Sequence, residues 1–175
     1  MARIMFRIRR FLTNFAFMNL PPLNLPDPSL RIRREGDMLK VWDPLREKYV
    51  AFTPEEYVRQ HFVPWLQNEF HYPKALIANE VGISVNGTRK RCDTIVFGRD
   101  SRPLIIVEYK APHVKITQDV FDQIVRYNMV LRARYLIVSN GLNHYCCKID
   151  YEQDTYHFLP KIPDYADICQ PFSEN

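Results

Sequence analysis

The run Leu104-Ile105-Ile106-Val107-Glu108-Tyr109-Lys110 is apolar for four residues and then carries two charges two positions apart. Strand side chains alternate, so Glu108 and Lys110 share one face, and a strand this apolar belongs in the middle of a sheet. Charges placed there need a partner or a metal ion. Asp93 stands fifteen positions before Glu108, and a hairpin turning between Gly98 and Pro103 brings the two carboxylates level. Such a pair suits Mg²⁺ or Mn²⁺, hard cations that take oxygen ligands and keep several waters, with the Tyr109 backbone carbonyl offering a further oxygen. The chemistry such a set could perform is phosphodiester hydrolysis. The metal polarises the phosphate and acidifies water, while Lys110 orients that water or offsets the developing negative charge. Glu108 and Lys110 alone also describe an ordinary surface salt bridge at a strand end; Asp93 at a matching distance separates the two readings.

These residues need a sheet with helices on its faces. Thr53-Pro54-Glu55-Glu56 starts a helix, with Thr53 as N-cap, Pro54 at the first helical position and Glu56 at the capping-box place. Tyr57, Val58, Phe62, Trp65, Leu66 and Phe70 follow at helical spacing. Three strand-like runs come next, Asn79 to Val85, Arg91 to Phe97 and Leu104 to Tyr109, separated by turn segments at Asn86-Gly87 and Gly98 to Pro103. They predict an antiparallel meander. A second helix, Thr117 to Arg132, crosses over to Tyr135 to Ser139, a short apolar strand parallel to the third, and His144 to Ile149 adds another. The fold class is α/β, a central mixed β-sheet flanked by α-helices in three layers.

Outside this core, expected to run from 53 to 160, the chain has lesser parts. Residues 29–52 hold a small hairpin, 161–175 read as a C-terminal tail, and 1–28 as a basic, proline-rich arm. Leu20 to Pro28 carries four of the thirteen prolines, which bar helix. The basic, apolar opening superficially suggests a signal peptide, but Arg7, Arg9 and Arg10 interrupt it and no small-residue cleavage site follows. A mis-assigned start, with residues 1–17 not made and Met18 as the true start, is the preferred account.

With 46% hydrophobic and 25% charged residues, the chain reads as an ordinary soluble domain, and no apolar run is long enough for a membrane span. The formal charge of +4 permits a polyanionic partner without requiring one. Four cysteines and five histidines lack metal-ligand spacing, and the expected compartment is the cytoplasm. No phosphate-binding G-x-x-x-x-G-K-[ST] loop occurs, so any motor is a separate polypeptide.

Asp93 with Glu108-Tyr109-Lys110 resembles the signature of the PD-(D/E)xK nuclease superfamily, with Cys92 where the name-giving proline stands. From about Thr53 to Asp150 the chain is similar to the N-terminal nuclease domain of type I restriction enzyme R subunits, in the small stand-alone form found in bacterial genomes. Arg91 to Phe97, Val107 to Pro112, Ser139-Asn140-Gly141 and the Gln123-x-x-x-Tyr127 pair carry that similarity. It implies a restriction-endonuclease-like core, a Mg²⁺-dependent DNA endonuclease, and separate motor and specificity subunits as partners; a homo-oligomer is compatible with it. Gln123 and Tyr127, four apart on one helical face, would orient the lysine or touch a phosphate. A glutamate on the first helix or first strand often completes such sites; Glu80 is the candidate, because capping already accounts for Glu56. Arg89, Lys90, Arg91, Lys115 and Arg126 are candidate phosphate contacts, or a solvated basic surface. The competing functions are a non-catalytic nucleic-acid-binding or assembly module that keeps the fold, and RNA cleavage or repair.

Overall fold

The computed structural model describes residues 20–85, 88–128 and 131–170, without the side chains of 83–85, 88–90 and 126–128. Six strands form the main sheet: β4 (Ile77–Val85), β5 (Thr88–Phe97), β6 (Pro103–Tyr109), β7 (Tyr135–Ser139), β8 (His144–Asp150) and β9 (Thr155–Leu159). They lie in the order β4-β5-β6-β7-β8-β9, antiparallel throughout except for the parallel β6–β7 pair, where the crossover helix α2 (Gln118–Asn128) intervenes. The expected meander and parallel strand are both present. The second helix is shorter than the expected span to Arg132, and residues 129–130 and the Asn86-Gly87 turn lie outside the described residues.

Alternation along the central strands sends successive side chains to two cores. Ile105, Val107, Tyr109 and Ile137 face α1 (Pro54–Glu69), which buries Val58, Phe62 and Leu66 against them, one residue per turn. Ile106, Leu136, Val138, Cys147 and Ile149 face Phe121, Ile124 and Val125 of α2. Helix, sheet and helix make three layers, and the α/β class read from the pattern is the class observed. Among the described residues no helix is long and apolar enough to cross a membrane.

Three parts outside the expected core depart from the sequence reading. The hairpin is a three-stranded sheet, β1 (Ile32–Glu35), β2 (Met38–Asp43) and β3 (Lys48–Ala51); the first strand, Ile-Arg-Arg-Glu, has almost no apolar signal. The proline-rich arm is fastened to the domain: Leu23 and Leu25 pack on the core, and Asn24 donates to the Gly141 and Leu142 carbonyls at 2.8 Å. Gly141 has a φ of +81°, and a Cβ there would come 2.7 Å from Leu23, which is why the Ser139-Asn140-Gly141 loop needs glycine. Finally, the stretch read as a tail contributes α3 (Tyr165–Ile168), with Ile162, Tyr165, Ile168 and Cys169 in the α1-side core.

Asp43 ties the small sheet to the large one. Fully buried, it accepts from the Leu45 and Arg46 amides at 2.8 and 3.0 Å, from the Arg46 side chain, and from Asn79 at 3.0 Å. Burial raises its pKa, but the Arg46 amide, Asn79 and the Arg46 guanidinium outweigh that and hold it below 3.8. Asp43→Ala strands these donors and is expected to cost about 3 kcal/mol in chemical denaturation at neutral pH. A carboxylate with a depressed pKa contributes stability above its unfolded value and loses it as pH falls through the folded one. The gap between wild type and variant therefore closes on acidification below about pH 4.

Candidate active site

β5 and β6 run as a regular antiparallel pair from Val96↔Ile105 to Thr94↔Val107, and one step further places Asp93 opposite Glu108. There the ladder gives way. The Asp93 carboxylate accepts the Tyr109 amide at 2.9 Å, so a side chain takes a backbone donor and the strands part around it. Tyr109 is held on the other face by a 3.2 Å hydrogen bond from its hydroxyl to Thr94 Oγ1 and by an edge contact with Phe62 of α1 at 5.7 Å. Glu108 points to the α2 side, where Lys110 Nζ meets its Oε1 at 3.0 Å. The Lys110 amide donates to the Ser139 carbonyl at 2.9 Å, which fixes the lysine at the carboxyl end of β7.

Asp93 and Glu108 each titrate above the ordinary carboxylate range. Burial is the largest cause for both, and for Glu108 the Asp93 charge comes next. Arg59 and the Tyr109 amide offset part of this for Asp93, and Lys110 part of it for Glu108. Burial and the same two carboxylates push the neighbouring Cys92 thiol up to about 11, so it stays protonated at neutral pH.

The residue that sequence reasoning missed is Arg59, which is 2% exposed on α1. Its Nη1 meets Glu56 at 2.9 Å, and its Nη2 meets Glu80 at 2.6 Å and Asp93 at 3.1 Å. Glu56 is also held by Arg46 at 2.6 Å and Gln60 at 2.8 Å. The capping box is only half formed: Thr53 Oγ1 accepts the Glu56 amide, but the Thr53 amide goes to the Ala51 carbonyl. Capping therefore does not account for the Glu56 side chain. Glu80 gives one oxygen to Arg59 and the other to Arg91, at 2.9 Å. Burial raises its pKa, but these two cations outweigh that and lower it. Its backbone, opposite Asp93, has a φ of +56°, a conformation that costs a non-glycine residue of order 1 kcal/mol or more and clusters at functional sites.

Asp93, Glu108, Lys110 and Tyr109 thus gather at one place, with Glu80 and Arg91 on its arginine-rich flank. Gln123 is exposed on α2 and, among the described residues, has no hydrogen bond to Asp93, Glu108 or Lys110; Lys115 is exposed before α2. The side chains of Arg89, Lys90, Arg126 and Tyr127 lie outside the described residues.

No three His, Cys, Asp or Glu side chains among the described residues converge as a metal cluster. What the site presents is sparser. Among the described side chains, five carboxylates (Asp43, Glu56, Glu80, Asp93, Glu108) face four cations (Arg46, Arg59, Arg91, Lys110) through ion pairs. Asp93 and Glu108 repel each other. That donor set fits a hard divalent cation held by few protein oxygens and otherwise by water.

A mixed sheet between helices, with its charged cluster where the central strands end, is a restriction-endonuclease-like core. The chain belongs to the Type I restriction enzyme R protein N terminus family (HSDR_N), whose model matches residues 54–163. Among solved structures, it is similar to a fragment assigned as an HsdR subunit of a type I restriction enzyme from Vibrio vulnificus YJ016. The match has a TM-score of 0.50 and 20% identity, and covers 67% of this chain and 24% of that one. The match therefore spans about a quarter of that solved fragment, and the likeness is one of fold. No curated protein matches it.

Proposed function

We propose that the chain is a metal-dependent DNA endonuclease that hydrolyses phosphodiester bonds with Asp93, Glu108 and Lys110. The observation that carries this reading is two partly buried carboxylates, mutually repelling, with an ammonium 3.0 Å from one of them. Asp93, Glu108 and the Tyr109 carbonyl would hold Mg²⁺ or Mn²⁺, which when bound polarises the phosphate and lowers the pKa of water. Lys110, held by Glu108 and the end of β7, positions the attacking water and offsets charge developing on the phosphate oxygens. Arg59 acts through Asp93: by occupying Oδ1 it fixes the carboxylate plane, and it is a positioning residue. Arg91 and Lys115 supply phosphate contacts that set register without reading bases, and Gln123 with Tyr127 is carried over from the family resemblance. Membership in the R-protein N-terminus family supports DNA as substrate and separate motor and specificity subunits as partners in the cytoplasm.

The test is nicking of supercoiled plasmid by the purified chain with Mg²⁺ or Mn²⁺. Nicking is expected with metal, and its loss is expected in Asp93→Ala and Lys110→Ala, after circular dichroism has confirmed that both fold. Equal nicking by all three proteins would overturn the assignment of these residues. Metal-independent DNA binding with no nicking, even when motor and specificity subunits are supplied, would favour a non-catalytic module instead.

A further inference from the structure

We propose that a pocket beside the candidate site, walled by β8, β9 and the start of α2, holds an unpaired base of a single DNA strand whose backbone passes Glu108. This rests on the nuclease reading above and names its substrate class. Glu108 is paired with Val138, and Val138 with Tyr145. Directly opposed residues share a face, so Tyr145 lies in the Glu108 row, two strand spacings or about 10 Å away. One strand of nucleic acid is long enough to touch both.

Tyr145 is 38% exposed and Phe158, on β9, is 48% exposed. With Met38 they are the exposed large hydrophobics among the described residues. Phe158 stands on the same face, opposite Cys147, and is propped by Phe121 at 4.8 Å, Tyr156 at 5.5 Å and Tyr145 at 6.3 Å. Its ring is thus held in place while much of its surface stays open to solvent. The adjoining cavity has a volume of about 450 Å³ and is lined by Phe121, Tyr145, Phe158, Ile116, Thr117 and Gln118. Exposed lysines flank it in the chain: Lys115 precedes Ile116, and Lys161 follows Pro160. Pre-set aromatic faces with cations next to them in the chain suit an unpaired strand, through base stacking and phosphate attraction. A duplex keeps its bases stacked inside and offers such faces nothing.

The test is fluorescence anisotropy with the full chain in EDTA, so that the readout does not depend on cleavage. Labelled oligo-dT is compared with a duplex of equal length, and with a strand of equal charge whose bases have been removed. Oligo-dT is expected to bind about ten-fold more tightly than the duplex, and Phe158→Leu and Tyr145→Leu to weaken oligo-dT about ten-fold, the size of one stacking contact. Duplex binding should not change, and the base-free strand should bind wild type and Phe158→Leu alike. Leucine keeps apolar bulk on the sheet, so folding survives while the ring is lost. A base-free strand that binds as well as oligo-dT, or equal losses on duplex and single strand, would overturn the pocket and leave the nicking result standing. Tighter binding of oligo-U than of oligo-dT would overturn the choice of DNA. Base-dependent binding by a chain that nicks nothing, even with motor and specificity subunits supplied, would uphold the pocket and overturn the nuclease reading.

Discussion

Glu108→Gln is expected to lower plasmid nicking about 10³-fold, the upper end of the loss when one group that stabilises a transition state is removed, and at the same time to make the metal-free chain more heat-stable. The second effect follows from charge. Burial and the Asp93 carboxylate raise the Glu108 pKa above 4.5, even with Lys110 opposing them. A carboxyl group with a raised folded pKa favours the folded state fully only below its unfolded pKa. The penalty appears as pH rises past that value and is complete above the folded one. Neutral pH lies above the unfolded value, so the penalty is felt there, and glutamine removes it. A gain of about 1 kcal/mol corresponds to a rise of about 2–4 °C in Tm for a domain of this size, and it should shrink on acidification toward pH 4. Adding Mg²⁺ is expected to raise the Tm of wild type, because a ligand that binds only the folded state stabilises it, and to leave Glu108→Gln unmoved. A variant that melts below wild type without metal, or that still gains from Mg²⁺, would show that Glu108 is a structural ion-pair partner and nothing more.

The parts of this fold that were legible in the sequence are those whose signal is local. The apolar run before Glu108 marked the central strand, and the distance back to Asp93 set the hairpin register. A helical pattern between two apolar strands required a parallel crossover. β1 and β9 escaped because edge strands need little apolar character: Ile-Arg-Arg-Glu reads as solvated surface, and no residue of Thr-Tyr-His-Phe-Leu is fully buried. α3 is four residues long, too short for periodicity to register. In the site, alternation predicted the shared neighbourhood of Glu108 and Lys110, but it gave no means of seeing which side chain Asp93 would meet from the facing helix. Arg59 stands three residues after Glu56, a spacing that reads as a surface pair on a helix. Only the packing of α1 against the sheet turns it inward. Glu56 reads as a capping residue for the same local reason.

Arg59→Met should be the most destabilising single change in the site. In wild type one guanidinium answers three carboxylates, Glu56, Glu80 and Asp93, whose side chains are 8%, 22% and 23% exposed. Methionine fills similar volume but leaves these charges crowded and unanswered, and removing one partner of a buried ion pair costs about 3–5 kcal/mol. The carboxylates would respond by holding protons more tightly, so the deficit should be largest at neutral pH and shrink as pH falls through the carboxylate range. Arg59→Lys is expected to recover less than half of the loss, because one ammonium cannot reproduce the fork that spans Glu56 on one side and Glu80 with Asp93 on the other. Urea denaturation of the three proteins at pH 7 and pH 4.5 measures both effects. Activity separates position from stability: below its melting range Arg59→Lys should nick plasmid slowly, with Glu108 and Lys110 intact but the Asp93 carboxylate no longer fixed through Oδ1, and added Mg²⁺ should recover part of the rate. A methionine variant within about 1 kcal/mol of wild type at pH 7 would mean that Arg46, Arg91 and water already neutralise the cluster, and that Asp93 owes its orientation to the Tyr109 amide alone.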